Sequence, residues 1–141
     1  MRAVLDTNVI VSAVLSQGSP PDAILRAWRK GAFQLVTSAP LLEELEAVLS
    51  RPHIAERLSW SERERRVFIA TLSESAIVVE PKRKLAVIKA DPADNKVLEA
   101  AVAGHSDYIV SGDSHLLAPR VYEDIQILTP TRFAAVLTTP H

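Results

Sequence analysis

Short apolar runs that stop at an acid or a turn alternate along this chain with stretches whose apolar residues recur at helical spacing. That alternation restricts the fold more than any other feature. A strand covered on both faces reads as a continuous apolar run, whereas a helix needs only an apolar stripe. Arg2-Ala-Val-Leu-Asp6 is the first run, and Thr7 or Asn8 is placed to cap a helix reaching about Leu15. After the turn cluster Gln17-Gly-Ser-Pro-Pro21, Pro21 and Asp22 open a helix with Ala23, Ile24, Ala27 and Trp28 on its apolar side, closed by Gly31. Phe33 to Thr37 reads as a second strand. Ser38 is the N-cap of a helix carrying Leu41, Leu42, Leu45, Val48 and Leu49 on one stripe. Ser61 caps a further helix through Val67, Ile69 and Leu72, and Ala76 to Val79 is a third strand. Asp91, with Pro92 behind it, caps a helix whose apolar face is Val97, Leu98, Ala101 and Val102, ended by Gly104. Tyr108 to Val110 and Ile125 to Leu128 are the fourth and fifth strands, and a terminal helix follows Pro130. The expectation is an α/β fold with a mostly parallel central sheet of about five strands flanked by helices.

The length of 141 residues suits one domain, expected to span 1–141, and an apolar fraction of 48% supports a buried core. The absence of cysteine excludes a disulfide scaffold, a thiolate metal site and a cysteine nucleophile, and it suits a reducing cytoplasm. Val9 to Leu15 is too short to span a membrane, and Asp6 interrupts any secretory-type apolar core. A formal net charge of −1 rules out attachment to nucleic acid by bulk positive charge. The balance is uneven along the chain. Residues 51 to 89 carry nine basic and five acidic side chains, whereas residues 90 to 124 carry two basic and seven acidic ones.

Four acids fall where such a fold builds its sites. Asp6 ends the first strand, and Asp113 follows the fourth in Ser111-Gly112-Asp113. Open α/β sheets bind ligands at those carboxyl ends. Asp94 lies in the first turn of the helix before the fourth strand, and Glu43 and Glu44 lie early in the helix after the second. Asp91 and Asp94 also suit a helix N-terminus electrostatically. Asp6 is the hardest to explain as structure alone, since an acid beside a buried strand is costly unless paired or metal-bound. Several acids gathered together repel one another. An oxygen-only ligand set without cysteine selects Mg²⁺ or Mn²⁺ over Zn²⁺. Such a site suits phosphodiester hydrolysis, with no side-chain nucleophile.

Leu5-Asp6-Thr7-Asn8-Val9, Glu44-Leu45 before Val48-Leu49, Asp91-Pro92-Ala93-Asp94-Asn95, and Ile109-Val110-Ser111-Gly112-Asp113 with Leu116-Leu117 follow one another in the order seen in PIN domains. The chain resembles that family through Leu128-Thr129-Pro130, and within it the compact VapC-like ribonuclease toxins of bacterial type II toxin–antitoxin systems. The resemblance implies a metal-dependent endoribonuclease in which Asp6, Glu44, Asp94 and Asp113 hold one or two Mg²⁺ or Mn²⁺ ions, with Glu43 as the fallback for Glu44. It implies that Thr7, Asn8 and Ser111 orient water, metal or phosphate, and that Asp91 supports or caps. It further implies single-stranded or structured RNA as substrate, a cognate antitoxin as partner, a homodimer and no membrane. Many relatives carry another acid where this chain has His115, which is either an inert exposed histidine or a group that touches phosphate or the leaving group. Arg51, His53, Arg57, Arg63, Arg65, Arg66, Lys82, Arg83 and Lys84 are candidates for an RNA track, although Glu62 can pair with Arg65 or Arg66 along its helix. Alternatives are a metal- or RNA-binding PIN-fold module without cleavage and an RNA-processing nuclease outside a toxin system. A dehalogenase-like phosphatase wants an acid where Asn8 stands, and a receiver wants a lysine near the last strand, where there is none.

Overall fold

The computed structural model describes residues 1–82, 95–113, 117 and 120–138. Its elements run β1 (Arg2–Leu5), α1 (Thr7–Leu15), α2 (Pro20–Arg29), β2 (Gln34–Ser38), α3 (Ala39–Leu49), α4 (Pro52–Leu58), α5 (Glu62–Ser75), β3 (Ile77–Val79), α6 (Asn95–Ala103), β4 (Tyr108–Val110), β5 (Val121–Tyr122), β6 (Ile125–Leu128) and α7 (Pro130–Thr138). The strands form one sheet in the order β3-β2-β1-β4-β6-β5. Every pairing is parallel except β5 with β6.

The local chemistry of the helix ends explains most boundaries. Ser38 caps α3 by accepting the Leu41 N–H at 3.4 Å. Ser61 and Glu64 form a reciprocal capping box at the start of α5, each bond 3.1 Å long. α2 starts one residue earlier than its proline pattern suggests, with Ser19 as cap and Pro20 in the first turn. α1 departs further: Asp6, not Thr7 or Asn8, occupies the cap position, and its side chain makes no capping bond. α4 was not expected; Pro52 is the first residue of this helix, which is closed by Ser59 in a left-handed conformation (φ 57°). Val67 is 56% exposed rather than part of the apolar face of α5. The opening of α6 at Asp91 and Pro92 lies outside the described residues.

Alternate strand residues point to opposite faces of the sheet. Ala3, Leu5, Leu35 and Val110 face a core built with Val9 and Ile10 of α1, Ile24 of α2, Leu45 and Leu49 of α3, and Phe133 of α7. Val4, Val36, Ile109 and Ile127 face the other core, filled by Val97, Leu98, Ala100 and Ala101 of α6. Both faces are therefore covered, which is why β1 carries no polar alternation. Gly104 closes α6 where a β-carbon would meet Val36 Cγ1 at 2.5 Å, so only glycine lets α6 sit this close to β2. No helix among the described residues is long and apolar enough to cross a membrane.

The strand order positions the site. The chain steps from β1 outward to β2 and β3, then returns to place β4 on the other flank of β1. Connections diverge on either side of β1 and β4, and the crevice above their carboxyl ends is the usual ligand position in open parallel sheets.

Candidate active site

Asp6 and Ser111 meet because of strand register. Leu5 pairs with Val110, so the next residue on each strand comes alongside the other. The Asp6 N–H donates to the Val110 carbonyl at 2.9 Å, and the Ser111 N–H donates to the Leu128 carbonyl at 3.0 Å. The Ser111 hydroxyl donates to Asp6 Oδ2 at 2.8 Å and accepts the Asp113 N–H at 2.9 Å. Ser111 is fully buried and Asp6 is 6% exposed. One hydroxyl thus holds the Asp6 carboxylate and fixes the turn that presents Asp113.

Glu44 arrives from α3. Its Oε2 accepts the Thr7 hydroxyl at 3.0 Å, across the contact between α1 and α3. Glu44 is half-buried, whereas Glu43 faces solvent, because the helix turns Glu44 toward the side carrying Leu41, Leu45 and Val48. Glu43 is therefore not brought to Asp6. Asn8 is exposed on the first turn of α1, and Asp113 is half-buried.

Burial pushes the Asp6 carboxyl above its ordinary value of 3.8. The Ser111 hydroxyl opposes that shift, the negative charge of Glu44 adds to it, the Thr7 N–H opposes it and Asp113 adds to it. No described cation is ion-paired with Asp6 or Glu44; the ion pairs among the described residues are Arg26–Asp22 and Arg66–Glu62. Three carboxylates from three elements thus share one edge of the sheet. Among the described residues, no group of three or more acidic or histidine side chains is gathered to hold a metal ion. Asp91, Asp94 and His115 lie outside the described residues, as do Arg83 and Lys84.

Other polar groups at this edge carried no site role in the sequence reading. Thr37 and Ser38 are buried at the carboxyl end of β2, and Asn95 is 7% exposed at the start of α6. Each is a polar residue at an element end, which is the signal that would have marked it. In the basic segment, Arg51, His53, Arg57, Arg63, Arg66 and Lys82 are exposed. Arg65 donates to the Trp60 carbonyl at 3.1 Å, and the Arg66–Glu62 pair is 3.7 Å long on an open helix face. A cavity of about 450 Å³, lined by Trp28, Arg29, Phe33, Phe68, Leu72 and Ile77, opens at the opposite edge of the sheet, where β2 and β3 begin.

Residues 2–115 match the family model described as PIN domain. The chain is 26% identical over 120 residues to an uncharacterized protein of Methanocaldococcus jannaschii, covering 85% of this chain and 76% of that protein. Its fold is similar to VapBC2 from Rickettsia felis, solved bound to a DNA fragment from its promoter (TM-score 0.60, 16% identity, 92% of this chain and 98% of that one). It is similar also to VapBC-1 from nontypeable Haemophilus influenzae (TM-score 0.62, 16% identity, 93% and 99%) and to FitAcB from Neisseria gonorrhoeae (TM-score 0.54, 18% identity, 92% and 98%). With four-fifths of its length matched, the chain belongs to the PIN domain family.

Proposed function

We propose that this protein is a metal-dependent endoribonuclease, the toxin of a toxin–antitoxin pair. The observation that carries the reading is the buried Asp6 carboxyl at the end of β1, held by Ser111 and close enough to Glu44 and Asp113 to feel their charge. Burial first, and then the charges of Glu44 and Asp113, raise the Asp6 carboxyl, and no described cation is paired with Asp6 or Glu44. An oxygen donor set with surplus negative charge fits a hard divalent cation such as Mg²⁺ or Mn²⁺. Asp6, Glu44 and Asp113 would hold it, with Asp94 completing the set. When bound, the ion supplies a more acidic water and neutralises charge on a phosphate.

The chain's own groups divide the remaining work. Asp6 is buried and fixed by Ser111, so it offers a carboxylate in one orientation. Asp113 stands at the mouth of the crevice, on a turn fixed through its N–H. Asn8 faces solvent on the first turn of α1, where it can touch a phosphate or a sugar hydroxyl. The exposed Arg51, Arg57, Arg63 and Lys82 supply sequence-independent attraction for an RNA backbone, and the sparse aromatic content favours recognition by shape and single-strandedness. The complexes named in the solved relatives motivate an antitoxin partner, which a small open reading frame directly upstream would supply. A homodimer and the cytoplasm complete the reading.

The deciding experiment incubates purified protein with single-stranded RNA in Mg²⁺ or Mn²⁺, beside Asp6→Asn. Wild-type cleavage that stops on chelation and falls at least about 100-fold in the variant is expected. A folded Asp6→Asn protein cleaving at the wild-type rate would refute the reading.

A further inference from the structure

We propose that Thr7 is a positioning residue for Glu44, and that it makes no contact with substrate. This inference rests on the metal-dependent reading of the site. Thr7 is the first residue of α1 and only 4% exposed, and its Oγ1 donates to Glu44 Oε2 at 3.0 Å. A threonine hydroxyl has one proton to give. Here that proton is committed to the carboxylate, so it is not available to a water or a phosphate. The expectation that Thr7 orients those groups is replaced by a different task.

The task follows from the nature of glutamate. Its side chain carries three rotatable bonds, and holding them in one arrangement is entropically costly. On α3 alone, Glu44 would sample several rotamers, as an exposed glutamate does. Thr7 takes one carboxylate oxygen and leaves Oε1 for a ligand. The β-branched threonine has a restricted χ1, so its hydroxyl is itself held in place by the helix and by burial. Being the first residue of the helix, Thr7 has no preceding turn whose carbonyl would capture the hydroxyl. Adjacent residues thus meet two hydroxyl contacts at this edge: Asp6 accepts from Ser111, and Thr7 donates to Glu44. This is pre-organisation of a ligand by a neighbouring hydrogen bond, which in metal sites carries effects of about 10- to 100-fold. Asn8, exposed beside it, is left as the polar group of this segment that faces substrate.

The test measures Mn²⁺ binding to metal-free protein by calorimetry, without RNA. Thr7→Val keeps the shape and removes the donor; Thr7→Ser keeps the donor. Thr7→Val is expected to bind Mn²⁺ about 10-fold more weakly and Thr7→Ser to stay within about 3-fold of wild type. In a Glu44→Ala background, Thr7→Val is expected to cause no further loss, since the carboxylate it acts through is gone. Thr7→Ala serves as a second donorless variant if the valine methyl disturbs α1, with unaltered circular dichroism as the criterion of folding. Wild-type affinity in the folded donorless variants, or the same loss in the Glu44→Ala background, overturns the proposal. Asp6→Asn separates the two levels. If it loses Mn²⁺ while Thr7→Val does not, this inference alone falls. If it binds Mn²⁺ as wild type does, the metal reading falls and this inference with it.

Discussion

The two edges of the sheet hold their acids in different surroundings, by a backbone N–H near solvent at one and by hydroxyls in a buried setting at the other. At the amino edge, Arg2 and Asp107 satisfy each other across β1 and β4. The Arg2 N–H donates to Asp107 Oδ2 at 2.9 Å, and the Asp107 N–H returns to the Arg2 carbonyl at 2.8 Å. The Arg2 guanidinium then spans Gly104 O at 2.9 Å and Gln34 Oε1 at 3.3 Å, tying β1 to α6 and β2. Above this clasp, Phe133 packs edge-on to Phe33 with centroids 5.2 Å apart, and against Tyr108 at 5.4 Å. At the carboxyl edge, Asp6 and Glu44 are held by hydroxyls. The partners are neutral at both edges, so they orient a carboxylate without cancelling its charge; what differs is burial, since Asp6 is 6% exposed while the bond to Asp107 is open to solvent. The amino edge ties β1 to α6 and β2, whereas the carboxyl edge places a buried acid beside other carboxylates. Functional sites are commonly held at such a cost in stability.

Substitutions at the two edges should differ in sign as well as size. The largest effect is expected from Phe133→Ala, which removes a fully buried ring from the amino-edge cluster and should cost about 3–5 kcal/mol in urea unfolding. Gly104→Ala should come next, at about 1–3 kcal/mol, because the new methyl collides with the Val36 side chain. Recovery of stability in Gly104→Ala/Val36→Ala would tie that loss to this contact. Arg2→Ala should cost about 1 kcal/mol, since part of its hydrogen bonding is open to water. If it left the unfolding midpoint unchanged, the clasp would not be a stabilising device.

Asp6→Asn should move the other way. Burial and neighbouring carboxylates raise the Asp6 carboxyl above 3.8, so the fold favours its protonated form. The contribution of Asp6 to stability in metal-free buffer should therefore be fully present below pH 3.8 and be lost as pH rises through the folded value. Asn at this position does not ionise. Thermal melts should show the variant matching wild type at low pH and exceeding it near neutrality. A variant less stable than wild type near neutrality would mean that the charge is compensated in the fold and that the two edges do not differ as described.

Much of this architecture is legible in the residues. Continuous apolar strands, Ser38 and Ser61 as caps, and Gly104 as a stop are local signals, and each stands where expected. The misses have physical causes. Pro52 breaks a helix from within but starts one at its first turn, so α4 is invisible until its position in the helix is known. β5 is a two-residue strand joined to β6 through Glu123 and Asp124, both left-handed at φ 46° and 68°. Neither is the glycine or asparagine that announces such a hairpin. Val67 fits the apolar period of α5 but lies beyond the reach of α3 and the sheet.

The site divides along the same line. That Asp6 ends a strand, and that Ser111 and Asp113 follow one, is determined by sequence, because strand ends are set by neighbouring residues. That Asp6 meets Ser111, 105 positions away, depends on the parallel register of β1 and β4. The choice of Glu44 over Glu43, and its bond to Thr7 across 37 positions, depends on the rotation of α3 as it packs against α1. Adjacent glutamates are chemically identical in sequence. Only the packing of the helix, with Leu41, Leu45 and Val48 turned inward, decides which carboxylate faces the site and which faces water.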